Sequence, residues 1–118
     1  MKMNSENKKT VEKYMVGFNE GDHPKILSCL TEDVIWEMPG TYRHVGKVEF
    51  DKEIENEAFE GRPSITLFRM TEQDNVVIAE GAVKCKMKDG PVVDMVFCDV
   101  FEMEDAKIKK LISYIMQR

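Results

Sequence analysis

The stretch KMKDGPVVDMVFCDVFEMED, residues 86–105, contains two turn signals with one long apolar strand between them. Asp89-Gly90 favours the tight turn of a β-hairpin, and Glu104-Asp105 forms a second short turn. Successive side chains of a β-strand point to opposite faces, and between these turns both faces carry apolar residues. The pattern predicts three consecutive antiparallel strands, at 76–88, 92–103 and 106–116.

Helical periodicity dominates the chain before these strands. Val11, Tyr14, Met15 and Phe18 follow the i, i+3, i+4, i+7 spacing of one helical face, and Gly21 is suited to the end of that helix. The helix that carries these residues is predicted over 5–20, and a short helix follows Asp22. A strand is predicted over 34–38. A third helix carries Phe50, Ile54 and Ala58 and is closed by Gly61 and Pro63, and a strand over 64–71 follows it.

This order of elements predicts one α+β domain spanning residues 1–118. We expect a curved, mostly antiparallel sheet with three helices on one face. Such a sheet wraps a cone whose interior is a pocket. A chain of 118 residues has room for a single core of this kind.

Composition excludes several function classes. The net charge is −5, and a binder of nucleic acid would need a concentrated basic face. Three widely spaced cysteines without a C-x-x-C pair are typical of a reducing compartment, and neither a signal peptide nor a membrane span is predicted, so we expect a cytoplasmic protein. The two histidines, His23 and His44, are far apart and have no acidic residues at ligand spacing. We therefore expect no metal and no cofactor.

Asp99 lies in the middle of the apolar strand 92–103. Alternation puts Met95, Phe97 and Phe101 on the same face as Asp99. An isolated charged carboxylate there would be costly, so Asp99 must be paired, hydrogen-bonded or protonated. Two interpretations remain open: a structural aspartate bonded to a tyrosine or backbone group, or a protonated acid that donates to a ligand oxygen.

Three segments carry a resemblance to a known family: KYMVGFNEGD at 13–22, LTEDVIWEMPG at 30–40 and the Asp-Gly hairpin. With a Gly-Lys pair opening the third helix, they resemble the nuclear transport factor 2-like superfamily. Within it, the chain is similar to SnoaL-type polyketide cyclases and ketosteroid isomerase. The resemblance implies a cone-shaped, cystatin-like α+β barrel with an apolar pocket. It also implies a homodimer formed through the outer face of the sheet.

The resemblance to ketosteroid isomerase implies a site. Tyr14 and Asp99 match the two donors that hold the enolate oxygen in that enzyme, one of them a carboxyl kept protonated by an apolar site. The base of that enzyme is an aspartate before a proline, and Met38 occupies the position here. A thioether cannot accept a proton from carbon. Glu37 is adjacent but points to the opposite face of the strand.

His44 lies in a loop that runs near the pocket mouth in this family, and histidine suits proton transfer near neutral pH. The alternative is an exposed loop histidine. Several apolar side chains would line the pocket for a small apolar ligand, although each could equally be core. They are Phe18, Trp36, Met38, Tyr42, Phe59, Phe97, Tyr114 and Met116.

Three functions are compatible with these residues. The first is a cofactor-free isomerase or cyclase acting on a small apolar oxygenated molecule, with Asp99 and Tyr14 polarising a carbonyl and His44 carrying the proton. The second is a binding module that holds a hydrophobic ligand without chemistry, which the methionine at position 38 favours. The third is a dimerisation domain in which the aromatic residues fill the cone.

Overall fold

A computed structural model describes residues 5–55 and 58–118 of the chain. The helices are α1 (Glu6–Glu20), α2 (His23–Leu27) and α3 (Lys47–Ile54). The strands are β1 (Leu30–Met38), β2 (Tyr42–Val45), β3 (Phe59–Gln73), β4 (Val76–Met87), β5 (Val92–Glu104) and β6 (Lys107–Gln117).

The strands form one sheet in the order β2-β1-β6-β5-β4-β3. Every neighbouring pair is antiparallel except β1 and β6, which run parallel. The sheet is curled but does not close, because β2 and β3 end it as separate edges. The helices α1 and α3 contact the sheet, and α2 packs between them. The α+β class and the antiparallel order of the last four strands, predicted from periodicity and turns, are confirmed.

The segment NEGD, residues 19–22, fixes how α1 joins the rest of the chain. Asn19 pairs with the backbone of Ile65 on β3, donating to its carbonyl at 3.1 Å and accepting from its N–H at 2.7 Å. Gly21 ends α1 in the left-handed conformation (φ 66°), which glycine adopts without strain. Asp22 then caps α2 by accepting from the Lys25 N–H at 3.1 Å. Each polar residue of this segment therefore has a structural partner.

The buried core lies between the helices and the inner face of the sheet. The helices contribute residues at helical spacing, and the strands contribute every second residue. The largest fully buried side chains are Phe50, Phe101, Ile26, Leu30, Ile108 and Leu111.

Several boundaries differ from the sequence-based prediction. The strand β1, predicted over 34–38, already starts at Leu30. Residues 42–45, predicted as loop, form β2, because Tyr42 and His44 pair with Met38 and Trp36 of β1. The third helix ends at Ile54 instead of continuing to Ala58. The strand β3 starts at Phe59 and runs through 61–63, the Gly and Pro positions predicted to close the helix. An edge strand tolerates these residues because its outer hydrogen-bonding groups face no further strand.

Within the described residues, no helix combines the length and the apolar character needed to cross a membrane.

Candidate functional site

A cavity of about 940 Å³ lies between the helices and the inner face of the sheet. Its wall combines residues of α1 and α3 with residues of all six strands. Aromatic, aliphatic and sulfur-containing side chains form the larger part of it, together with charged and hydroxyl side chains such as Glu53, Arg62 and Ser113. Ligand sites in proteins commonly have this composition and size. The apolar side chains include Met15, Phe18, Trp36, Met38, Ile54, Phe59, Ile65, Val83, Met95, Phe97 and Ile115.

Asp99 is the most deeply buried acid on the cavity wall. Its side chain is held on the inner face of β5 with Phe97 and Phe101, as the alternation predicts. The residue is 9% exposed, and its Oδ1 atom has no hydrogen-bond partner within the described residues. Burial raises the pKa of this carboxyl from its ordinary 3.8 to about 7, and a hydrogen bond from Ser113 works in the opposite direction. Asp99 therefore exchanges its proton near neutral pH.

Ser113 connects Asp99 to the indole of Trp36. Ser113 and Asp99 are direct partners in the register of β6 and β5, so their side chains share the inner face. The Ser113 Oγ accepts a hydrogen bond from Trp36 Nε1 at 3.1 Å. Because that oxygen already acts as an acceptor, the hydroxyl hydrogen is available to the Asp99 carboxyl.

Tyr14 projects from α1 into the same region. Its ring packs against Phe18 and Phe101, with ring centroids 5.0 and 5.4 Å apart. Burial first, and then the charge of Asp99, raise the pKa of the Tyr14 phenol well above its ordinary value. The phenol therefore remains a neutral hydrogen-bond donor in the pH range where Asp99 titrates. The two donors implied by the resemblance share one cavity.

Tyr42 lies on β2 and also lines the cavity. Its ring is perpendicular to Trp36 at 5.5 Å and stacked on His44 at 4.5 Å. The pKa of the Tyr42 phenol is raised, first by burial and then by the charges of Glu53 and Asp99. Tyr42 thus lies within electrostatic reach of two carboxyl groups from different elements.

His44 does not belong to the cavity wall among the described residues. Its ring lies behind Tyr42, and its Nε2 is 2.9 Å from Glu53 Oε1 on α3. The side chain is 25% exposed, so His44 is neither a free loop residue nor a group that faces the cavity directly. Its two contacts, Tyr42 and Glu53, are the residues that line the cavity at this point.

Of the predicted lining residues, Phe18, Trp36, Met38, Tyr42, Phe59 and Phe97 lie on the cavity wall. The predicted face of Tyr114 and Met116 was wrong. Both lie on the outer face of β6, 51% and 70% exposed, while Ser113 and Ile115 face inward. The reason is an irregularity in the β5–β6 pairing between Glu102 and Met103, which changes the face on which later residues of β6 lie.

Sequence reasoning missed several polar residues of the wall, among them Ser113 and Glu53. Ser113 was hidden by the wrong face assigned to the last strand. Glu53 is three residues after the fully buried Phe50, a spacing that puts both on neighbouring positions of one helical face. That spacing was the available signal.

Within the described residues, no group of three or more His, Cys, Asp or Glu side chains is arranged to hold a metal ion. The polar groups on the cavity wall include the hydroxyls of Tyr14, Tyr42 and Ser113 and the carboxyls of Glu53 and Asp99. They are suited to hydrogen bonding and to proton transfer with an oxygen-bearing molecule.

Comparison with known proteins identifies the fold. The model of the SnoaL-like domain family matches residues 11–111. An LEH-like epoxide hydrolase of M. tuberculosis has a TM-score of 0.83 and 20% identity, covering 94% of this chain and 83% of that one. A candidate polyketide cyclase of Xanthomonas campestris pv. campestris has a TM-score of 0.82 and 21% identity, covering 92% and 89%. A candidate ketosteroid isomerase of Kribbella flavida has a TM-score of 0.78 and 18% identity, covering 96% and 79%.

No curated protein matches the sequence. At the identities found for the solved structures, the likeness shows the fold and leaves the reaction open. The resemblance drawn from the sequence is confirmed at the level of the family, since the model covers residues 11–111. This chain belongs to the SnoaL-like domain family.

Proposed function

We propose that this protein is a cofactor-free isomerase or cyclase that takes a small, largely apolar, oxygen-bearing molecule into the cavity. The observation that carries the proposal is the buried Oδ1 of Asp99 on the cavity wall, which has no hydrogen-bond partner within the described residues and shares its strand face with Phe97 and Phe101. A buried polar atom without a partner costs free energy in the empty protein. A ligand oxygen that hydrogen-bonds to Asp99 recovers that cost.

The chemistry follows from the protonation states of two groups. A carboxyl with a pKa of about 7 is substantially protonated at neutral pH and can donate to a carbonyl oxygen. Tyr14 supplies a second neutral donor from α1. As a proton leaves the carbon beside the carbonyl, negative charge develops on the oxygen, and both donors stabilise it in a water-poor environment. The names of the structural neighbours, an epoxide hydrolase, a cyclase and an isomerase, support a reaction of a small oxygenated molecule.

The first experiment measures binding. Steroid-like and polyketide-like ketones are screened for thermal stabilisation of the protein, and each hit is repeated with the isosteric variant Asp99→Asn. We expect ligands that stabilise the wild type more than the variant. A screen in which no such compound stabilises either protein contradicts the proposal.

The second experiment measures turnover of each compound that binds. Asp99→Asn and Tyr14→Phe each remove one oxygen-stabilising group, so we expect kcat to fall by roughly 100-fold in either. Unchanged turnover in both variants removes this mechanism.

A binding module without chemistry is the second candidate function. The observation in its favour is Met38, which lies on the cavity wall where the resemblance calls for a base. It predicts ligands that stabilise the protein and are recovered chemically unchanged after prolonged incubation. The cavity that reaches Asp99 supports either ligand-holding function over an interior filled by aromatic residues.

We also propose a homodimer through the outer face of the sheet. Tyr114 and Met116 are exposed there, and Val96 and Cys98, their register partners on β5, are half-buried apolar residues of the same face. A second copy of this chain would cover this apolar surface. Light scattering should give a dimer that Met116→Glu converts to monomer. The control Lys52→Glu, at an exposed position of α3, should remain dimeric, and a monomeric wild type contradicts this assembly.

A further inference from the structure

Glu53 is a second carboxyl group on the cavity wall, and it differs from the other acids at the rim. Its side chain is 16% exposed, whereas those of Glu55 and Glu60 are 77% and 60% exposed. Glu55 forms an ion pair with His23, and Glu60 with Lys86. Glu53 is therefore the acid at this end of the cavity that is shielded from solvent.

Two neighbours fix the position of Glu53. His44 Nε2 lies 2.9 Å from Glu53 Oε1, and the His44 ring is itself held by stacking on Tyr42. One turn before Glu53, the Phe50 ring is fully buried and stacked on Trp36 with ring centroids 4.4 Å apart. The helix α3 and the strand β2 therefore hold the carboxyl from two sides.

Glu53 and Asp99 act on a common neighbour. The charges of both residues raise the pKa of the Tyr42 phenol, so each lies within electrostatic reach of that hydroxyl. The three groups come from α3, β5 and β2 and line the same cavity. One wall thus carries two carboxyls in different environments, one among apolar strand residues and one beside a histidine. Paired carboxyls in contrasting environments are a common arrangement for acid and base roles.

We propose that Glu53 is the proton acceptor of the site and that His44 is its positioning residue. The inference rests on the proposed function and supplies the base that is missing at Met38. The Glu53 carboxylate takes a proton from the carbon beside the ligand carbonyl. The electron pair of the broken C–H bond moves to the carbonyl oxygen, where Asp99 and Tyr14 donate hydrogen bonds. Glu53 then returns the proton to another carbon, so no oxidant or reductant is needed.

The test uses nitrobenzisoxazole, a small aromatic probe of proton abstraction that does not depend on the natural ligand. A base removes the proton from its ring carbon, the N–O bond breaks, and a coloured cyano-nitrophenolate forms. A carboxylate held beside an apolar cavity should accelerate this elimination over buffer alone. We expect Glu53→Gln, which keeps the side-chain shape, to lower kcat/KM by roughly 100-fold, the contribution of a positioned base.

Matched variants separate a base from a structural residue. Glu49→Gln is the control, since Glu49 lies on the same helix, is half exposed and pairs with Lys52. It should leave the rate unchanged. At position 44, His44→Gln keeps a hydrogen-bond donor, and His44→Phe keeps a ring that can stack. If His44 positions Glu53, His44→Phe lowers kcat with little change in KM, and His44→Gln recovers much of the loss. Equal loss in both variants overturns the positioning role.

The possible failures are distinguishable. If Asp99→Asn abolishes the elimination while Glu53→Gln does not, Asp99 is itself the base of this elimination, and the inference fails. If the wild type does not accelerate the elimination over buffer, Glu53 is not an accessible base and the inference also fails. The proposed function is judged separately by ligand stabilisation of the wild type against Asp99→Asn. Equal melting temperatures of the wild type and Glu53→Gln confirm that a lost rate is not a lost fold.

Discussion

Ser113 faces Asp99 directly across β6 and β5 and, on its other side, accepts the indole N–H of Trp36 at 3.1 Å. A single hydroxyl therefore connects the most buried acid of the cavity to an aromatic residue of β1. The hydrogen bond from Ser113 favours the charged form of Asp99, while burial disfavours it. The balance of these two effects sets the pH at which the cavity can exchange a proton.

Replacing Ser113 with alanine should shift that balance. Without the hydroxyl, the pKa of Asp99 should rise further above about 7, because only the burial effect remains. The Trp36 N–H also loses its acceptor, which should lower the free energy of unfolding by about 1–3 kcal/mol. Carbon-detected NMR of the Asp99 carboxyl and urea denaturation measure the two effects. Ser64→Ala, at an exposed position of β3, should change neither quantity. An Asp99 pKa that is unchanged in Ser113→Ala contradicts the coupling.

Asp99 should make the stability of the protein fall as pH rises. Its pKa is about 7 in the folded protein and 3.8 as the ordinary value, so between these pH values the folded state holds a proton that the unfolded state has lost. The free energy of unfolding therefore decreases with pH across this window and levels off above it. The full effect is on the order of 4 kcal/mol, since each pKa unit corresponds to about 1.4 kcal/mol.

The measurement compares the wild type with Asp99→Asn, which is neutral at every pH. The two proteins should have similar stability near pH 4 and diverge towards pH 8, with the wild type less stable at the upper end. His23 also titrates, because a hydrogen bond to Asp51 raises its pKa, but it is present in both proteins and cancels in the difference. Parallel stability curves would mean that Asp99 is not buried as the structure has it.

Periodicity and turn chemistry were sufficient to predict most of the fold. Asp89 has a positive φ of 57° in the loop 88–91 between β4 and β5, and the strands on either side pair as expected. The helix and strand boundaries that were predicted wrongly are those where tertiary contacts override the local sequence preferences. Tyr42 and His44 form a strand because β1 offers an edge to pair with, and Pro63 is accommodated in β3 because that strand is itself an edge.

The site was predictable only in part. Asp99 stood out because a carboxyl in an apolar strand requires an explanation, and Tyr14 followed from the resemblance. On the last strand, steps of two from Ile108 point to Tyr114 as an inward residue. In the structure, two neighbouring residues of β5 pair with Ile108 and Lys110, so Lys109 has no partner on β5. This extra residue shifts the alternation of β6 by one, and Leu111 and Ser113 therefore face inward. No local sequence signal marks a bulge of this kind.

Gly81 should not tolerate a side chain. It lies on β4 opposite Phe97, and a Cβ atom there would be 2.2 Å from the Thr66 carbonyl oxygen and 2.8 Å from the Phe97 ring. We expect Gly81→Ala to lower the free energy of unfolding by about 1–3 kcal/mol or more, because backbone of β3 must shift. Gly40→Ala is the comparison. A Cβ atom added at Gly40 would have no atom within 4 Å, so only the backbone φ of 80° disfavours the alanine. A smaller loss for Gly81→Ala than for Gly40→Ala in urea denaturation contradicts the close approach.

Phe50 should be the anchor of α3. Its side chain is fully buried, stacked on Trp36 and in edge contact with Tyr14 at 6.2 Å, and it is the only buried residue of that helix within the described residues. We expect Phe50→Ala to cost about 3–5 kcal/mol in urea denaturation, because it leaves a void that the rigid rings cannot fill. Val48→Ala is the matched control, as Val48 is 71% exposed on the same helix, and it should change stability by less than about 0.5 kcal/mol. Equal costs at the two positions would mean that α3 does not depend on Phe50 for its packing against β1.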